Sequence, residues 1–170
     1  MNRNWIIAIV AVLFLSSECR LKSSQPLNES SYAKIVTEYG DRLRMPRFLI
    51  GVPPYRIQYF TRISVDYNNN VYSILSGDIL ESNYSRGYGN HVKILSHDSI
   101  TLIYCHLDSC VVDSGQKVKS GELIGLTGNT GFSSSPSLAI FAWVGNKKVN
   151  PCLFFDCDQY RYKSEDDINE

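Results

Sequence analysis

The 170-residue chain has no excess of charge of either sign, its 17 Lys and Arg being matched by 17 Asp and Glu. A broad positive field of the kind that holds a nucleic-acid backbone through counterion release is therefore missing, and no nucleic-acid partner is expected. None of the five cysteines stands in a Cys-x-x-Cys relation to another, which argues against a zinc knuckle or a thioredoxin-like redox motif. Beyond the first twenty residues there are few Ala-rich or Leu-rich stretches, so long helices are not expected. What is present points elsewhere. Eleven Tyr, seven Phe and eleven Gly suit short strands joined by tight turns. With 44% hydrophobic and 20% charged residues, the composition is that of one folded domain, and the expected fold class is mainly β.

One long apolar run interrupts this pattern, Trp5 to Leu15, preceded by Arg3. At ~1.5 Å per residue it reaches about half of a ~30 Å hydrocarbon core, too short to span. Residues 1–19 therefore read as a secretory signal with its charged and apolar regions, and the chain is expected in the periplasm, the cell envelope or the medium. Ser16-Ser17-Glu18-Cys19 is a candidate lipoprotein site in which Glu18 is a poor residue before the cysteine. A lipid on Cys19 is the one expected route to a membrane. The remaining cysteines, Cys105, Cys110, Cys152 and Cys157, are even in number. They allow three pairings in an oxidising compartment, with buried free thiols as the alternative.

Residues 20–50 form a linker and N-terminal segment: Leu21 to Ser31 is rich in Ser, Asn and Pro, and the spacing of Ile35, Tyr39 and Leu43 predicts a short helix within Tyr32 to Arg44. Residues 51–155 read as one β domain. Strands are predicted at Arg56–Phe60, Asn70–Leu75, His91–Leu95 and Ile100–Tyr104, with turns at Ser76-Gly77-Asp78 and Gly87-Tyr88-Gly89-Asn90. His91 and His97 are expected on the surface of strands. The glycine-spaced stretch from Gly115 to Gly125 predicts a strand that doubles back at Lys119-Ser120-Gly121 into a compact antiparallel sandwich or barrel-like body. Biotinyl and lipoyl carrier domains have such a hook, but their modifiable Lys is often flanked by Met, and only Met1 and Met45 occur here. Residues 156–170 are polar and acidic at the end, a solvated tail.

Six segments in order carry a resemblance: Ser76-Gly77-Asp78, Gly87-Tyr88-Gly89-Asn90-His91-Val92-Lys93-Ile94, Tyr104-Cys105-His106-Leu107, the Gly115 to Gly125 hook, Thr127-Gly128-Asn129-Thr130-Gly131 and Val149-Asn150-Pro151. Together they resemble the lysostaphin-type (LytM) zinc metallopeptidases. The resemblance implies the duplicated hybrid motif fold and, as substrates of the family, peptidoglycan cross-bridges and stem peptides.

The same resemblance identifies a degenerate member. The family's His-x-Gly-x-Asp aligns with Arg62-Ile63-Ser64-Val65-Asp66 and its His-Leu-His with Ser137-Leu138-Ala139. The zinc-ligand positions are thus Arg62, Asp66 and Ala139. Of the two assisting histidines His106 remains and the other is Ser137. Catalytic zinc needs three protein donors around an open water position; one carboxylate does not supply them, and a guanidinium at Arg62 opposes a cation. No catalytic residue, metal or cofactor is expected, with His106 as a remnant whose imidazole satisfies a nearby carbonyl. An Arg62–Asp66 salt bridge is the expected replacement, and capping of a turn by Asp66 the alternative. A Cys105–His106 nucleophile pair is disfavoured, since neighbours on a strand face opposite sides. The expected function is an exported, non-catalytic module that binds peptidoglycan or regulates a separate cell-wall hydrolase. The rival readings are an active zinc endopeptidase with substitute ligands such as His97 or Cys105, and a structural or host-facing secreted β domain.

Overall fold

Strands dominate because apolar and polar residues alternate at period two, and each strand finds a partner for its buried face. The computed structural model describes residues 25–27, 33–44 and 55–160. Its strands are β1 (Lys34–Thr37), β2 (Arg42–Arg44), β3 (Tyr55–Ile57), β4 (Thr61–Ser64), β5 (Asn70–Tyr72), β6 (Gly77–Ser85), β7 (Gly89–Leu95), β8 (Ile100–Cys110), β9 (Lys117–Val118), β10 (Leu123–Thr127), β11 (Ser137–Val144) and β12 (Lys147–Val149). Ten of these form one sheet in the order β1-β4-β11-β8-β7-β6-β9, with β10 bridging β8 to β5 and β12 beside β11. Its pairings are antiparallel, and the sheet does not close into a barrel. The strands β2 and β3 form a separate ribbon.

One face of the sheet buries the main core, which includes Ile63, Ile79, Val92, Ile94, Leu102, Tyr104, Leu107, Ile124, Leu138 and Ile140. Tyr104 is fully buried, and its hydroxyl accepts the Ile74 backbone N–H at 2.8 Å. Burial raises its pKa well above the ordinary tyrosine value, so it stays a neutral phenol. The hook of the Gly115 to Gly125 stretch turns at Ser120-Gly121 between β9 and β10. There the Gly121 N–H donates to the Ser73 carbonyl and the Ser120 hydroxyl to the Ile74 carbonyl.

Several expectations are corrected. Tyr32 to Arg44 contains no helix among its described residues; it holds β1 and β2, because Ile35 pairs with Ile63 across β4 and Gly40, at φ +95°, turns the chain between them. A sheet edge outweighs weak helical spacing here. Gly77 opens β6 rather than a turn, and it is glycine because a Cβ there would stand 2.3 Å from the Leu95 carbonyl oxygen. The strand at Ile100–Tyr104 runs on to Cys110. His91 is not a surface residue: it is 2% exposed, its Nδ1 donates to the Gly89 carbonyl at 3.0 Å, and Nε2 lies 3.5 Å from the Glu81 carboxylate. His97 is exposed but sits in the turn before β8.

The cysteines resolve into one disulfide, Cys152–Cys157, with Cys105 buried and Cys110 half-buried as free thiols. The disulfide brings the first residues of the polar tail into the fold: Phe155 and Tyr160 are buried against each other, and the Tyr160 hydroxyl donates to the Leu27 carbonyl at 3.2 Å. Leu27, from the Ser/Asn/Pro-rich stretch, is itself 3% exposed and bridges to Val71. Residues 1–24, with the apolar run and Cys19, and residues 161–170 lie outside the described residues.

Replacing Tyr104 by Phe leaves the buried Ile74 N–H without its acceptor. The expected loss is about 1–3 kcal/mol of unfolding free energy, measured by urea denaturation.

Candidate functional site

On the face of the sheet opposite the main core, three strands align a row of residues. Arg62 on β4 is the cross-strand partner of Ala139 on β11, and Ala139 that of Cys105 on β8; directly paired residues share a face. Ile103, Cys105 and Ala139 form a small buried cluster with Phe60, Tyr88, Phe141 and Trp143 packed against it. Phe141 links the rings, with centroids 4.9 Å from Phe60, 5.3 Å from Tyr88 and 6.0 Å from Trp143. These aromatics line that face of the sheet, where the family resemblance places its groove, and no motif in the sequence marks them. The Phe141-Ala142-Trp143 alternation within β11 was the available signal.

His106 reaches this face through a break in the strand. Its φ is +67°, and the pairing of β7 with β8 shifts register between Asn90 and Val92, opposite Leu107 and Tyr104. One extra residue on β8 makes a β-bulge that re-aims the chain. The imidazole is then fixed on both sides: Nδ1 lies 2.8 Å from the Thr130 carbonyl oxygen and Nε2 lies 3.4 Å from Arg62 Nη2. A carbonyl only accepts, so Nδ1 carries the proton, and Nε2 offers its lone pair to the guanidinium. Burial lowers the His106 pKa, the Thr130 carbonyl opposes that shift, and the Arg62 charge adds to it. The ring is neutral near pH 7.

Thr130 holds this arrangement. Its hydroxyl donates to the Leu107 carbonyl at 2.6 Å and accepts the Asn90 N–H at 2.9 Å, while its own carbonyl accepts the hydrogen bond of His106 Nδ1. The loop approaches β7 so closely that a Cβ on Gly131 would stand 2.2 Å from the Gly89 nitrogen, and Gly89 and Gly131 both have positive φ. The glycine-rich motif flags this loop in the sequence, but the role of Thr130 emerges only from the contacts.

The Arg62 guanidinium lies 5.5 Å over the Phe60 ring, and burial lowers its pKa, which leaves it charged near neutrality. Burial pushes the Cys105 thiol well up, only partly offset by Arg62, so Cys105 is neutral. The expected Arg62–Asp66 salt bridge is not formed: three ion pairs occur among the described residues and none includes either side chain. The reason is local. β4 ends at Ser64, and the backbone carbonyl of exposed Asp66 accepts Asn69 Nδ2 at 2.9 Å and the Thr127 hydroxyl at 2.6 Å. This pins a turn through the main chain and places Asp66 in a shallow depression with Ser64, Val65 and Pro136. Ser137 is buried, its hydroxyl 3.2 Å from that of Ser133.

The structure thus joins Arg62 to His106 and to Ala139, and leaves Asp66 and Ser137 in other contacts. Among the described residues no three His, Cys, Asp or Glu side chains converge as metal donors. Ala139 has no donor atom, and a guanidinium fills the space beside His106. This donor set does not fit a tetrahedral zinc ion.

The sheet order defines an open, antiparallel, mainly β domain. Residues 57–151 match Peptidase family M23, and the chain belongs to that family. It is 40% identical over 81 residues to an uncharacterized metalloprotease of Buchnera aphidicola subsp. Baizongia pistaciae, a match covering 48% of this chain and 22% of that protein. The chain therefore spans about a fifth of the length of this curated relative. The catalytic domain of lysostaphin from Staphylococcus simulans superposes with a TM-score of 0.61 at 28% identity, covering 71% of this chain and 90% of that one. A chain of the SpoIIIAH and SpoIIQ complex shares the fold with a TM-score of 0.64 at 18% identity, covering 78% and 99%.

Two outcomes follow from this geometry. Gly131→Ala forces a side chain into positive φ and against Gly89, and is expected to cost about 2 kcal/mol or more in denaturant unfolding. Because the His106 pKa is lowered on folding, the unfolded chain binds the extra proton as pH falls below about 6.5. The stability that the neutral ring contributes is complete above that pH and is lost as pH falls toward the folded value. Melting temperatures at pH 7.5 and pH 5 should therefore fall further for the unaltered chain than for His106→Gln.

Proposed function

We propose that this chain is a non-catalytic M23 module, exported to the cell envelope, whose groove binds peptidoglycan or regulates a separate cell-wall hydrolase. The observation that carries the reading is the Arg62 guanidinium against His106 Nε2, at the position where the family resemblance puts the first zinc-binding histidine. A neutral histidine that accepts a hydrogen bond from a fixed cation has no metal-bound water to deprotonate, so the remaining family histidine is committed to a different contact. Family membership supports peptidoglycan as the target. The occurrence of the fold in the SpoIIIAH and SpoIIQ complex supports a protein partner as the other outlet. The Cys152–Cys157 disulfide and the apolar run at residues 5–15 support an oxidising, extracytoplasmic location.

The purified chain is expected to hold less than one zinc per molecule after dialysis against zinc and to leave pentaglycine and stem peptides uncut, while sedimenting with purified sacculi or altering the rate of a cell-wall hydrolase. One tightly held zinc, lost in Asp66→Ala, would overturn the reading. The triple variant Arg62→His, Ser137→His, Ala139→His supplies two imidazoles at the family ligand positions beside Asp66. Its melting temperature should rise with zinc, as RT ln(1 + [L]/Kd) requires of a ligand that binds the folded state. Ala139 is completely buried, so the added ring is expected to cost about 1–3 kcal/mol before zinc is added. A folded triple variant with no zinc-dependent shift would show that these positions do not converge as the family alignment requires.

A further inference from the structure

We propose that Arg62 and His106 form a binding site for the free carboxylate of a peptide, an inference that rests on the groove being the binding surface of the proposed function. Arg62 spends one N–H on His106 Nε2, and its other donors meet no protein acceptor among the described residues. Nε in particular is buried and without a partner. None of the ion pairs of the described residues involves Arg62. Cys105, whose charge would interact with it, is kept as a neutral thiol by burial. A half-buried guanidinium is therefore left uncompensated on an aromatic floor. Burying a charge without a counter-charge is costly, and an anionic ligand group offsets that cost.

The chemistry of the surroundings selects the anion. A guanidinium presents parallel N–H groups that match the two oxygens of a carboxylate. Phe60 lies under the guanidinium, Phe141 packs on Phe60 and Tyr88 on Phe141, and these rings offer apolar contact to the side chain next to that carboxylate. A doubly charged phosphate would call for a second cation. Lys93, whose charge acts on the Tyr88 hydroxyl, is already taken by Glu81 at 2.8 Å. His106 is neutral and gives its only N–H to Thr130. The site thus holds one positive charge above an apolar surface, which suits the C-terminal residue of a peptide.

The test is calorimetric titration of the full chain with N-acetyl-lysyl-alanyl-alanine, its two alanines in the D configuration, and with the same peptide as its C-terminal amide. The acid should bind and the amide should bind about ten- to a hundredfold more weakly. Arg62→Leu should lose affinity for the acid to the same extent, with Arg62→Lys between the two, and inorganic phosphate at equal concentration should not displace the acid. Equal binding of acid and amide, no binding of the acid, displacement by phosphate, or unchanged affinity in a folded Arg62→Leu variant would each overturn the proposal. If Arg62→Leu does not fold, the acid and amide on the unaltered chain decide, with the His106 ring signals expected to move only with the acid. Sedimentation with sacculi and the effect on a cell-wall hydrolase separate the two readings. Sacculus binding without preference for the acid overturns the carboxylate site and leaves the proposed function standing. Acid-selective binding with neither sacculus retention nor a hydrolase effect upholds the site and overturns the proposed function.

Discussion

The hydrogen bond from His106 Nδ1 to the Thr130 carbonyl sets the chemistry of the groove, because it decides which ring nitrogen carries the proton. With Nδ1 committed as donor, Nε2 is an acceptor, and the group it faces must be a donor. Arg62 is that donor. Everything that places the bond is backbone geometry: the positive φ at His106, the bulge between β7 and β8, and the approach of the Thr130-Gly131 loop to Gly89. Two glycines allow the approach, and the Thr130 hydroxyl ties both strands to the loop.

Beneath the groove, the sheet supplies the rigidity that this arrangement needs. β8 is the spine: it pairs with β7, β10 and β11, and it carries Tyr104 inward and Cys105 outward on successive residues. Tyr104 fastens the loop before β6 from inside the core, while the Cys152–Cys157 disulfide and Tyr160 fasten the C-terminal turns to Leu27. The disulfide also neighbours β4, with the Thr61 hydroxyl 3.7 Å from Cys152 Sγ, one residue before Arg62. The groove is therefore backed by long-range contacts on the β4 side as well as on the β8 side, which limits how far Arg62 and His106 can separate.

Much of the fold was legible because it depends on residues acting locally. The β-branched runs at His91–Leu95 and Ile100–Tyr104 and the turn at Gly87–Tyr88 give alternation and breakers that physics reads without context. Arg62, Asp66 and Ala139 were singled out by the family resemblance, and of these Arg62 and Ala139 are cross-strand partners on β4 and β11. What was not legible depends on who lies across the sheet. The edge strand at Lys34–Thr37 carries a helical spacing by coincidence and becomes a strand because β4 offers it an edge. His91 shares its strand face with Lys93 by alternation, so its burial against Tyr88 and Glu81 has no signature in its own segment. The expected Arg62–Asp66 pairing rested on both residues standing at ligand positions of the family the chain resembles. The strand that carries Arg62 ends at Ser64, and Asp66 lies exposed in the turn beyond it.

On the proposed function, a guanidinium stands where the family resemblance puts a zinc ion, and the difference between the two cations directs the chemistry. A zinc ion is a Lewis acid that draws an oxygen into its coordination sphere and acidifies water. A guanidinium has no vacant orbital; it offers only N–H donors in a plane, and the acceptor it favours is an anion already formed. At the same place on the same sheet, the first would act on a peptide bond and the second would hold a peptide end. The neutral His106 fits the second role, since a protonated imidazole would repel Arg62 and a carboxylate-bound guanidinium needs only an acceptor on its remaining side. The aromatic floor of Phe60, Tyr88, Phe141 and Trp143 serves that holding role as well, because it lowers the local dielectric around a single charge and so strengthens any ion pair formed there.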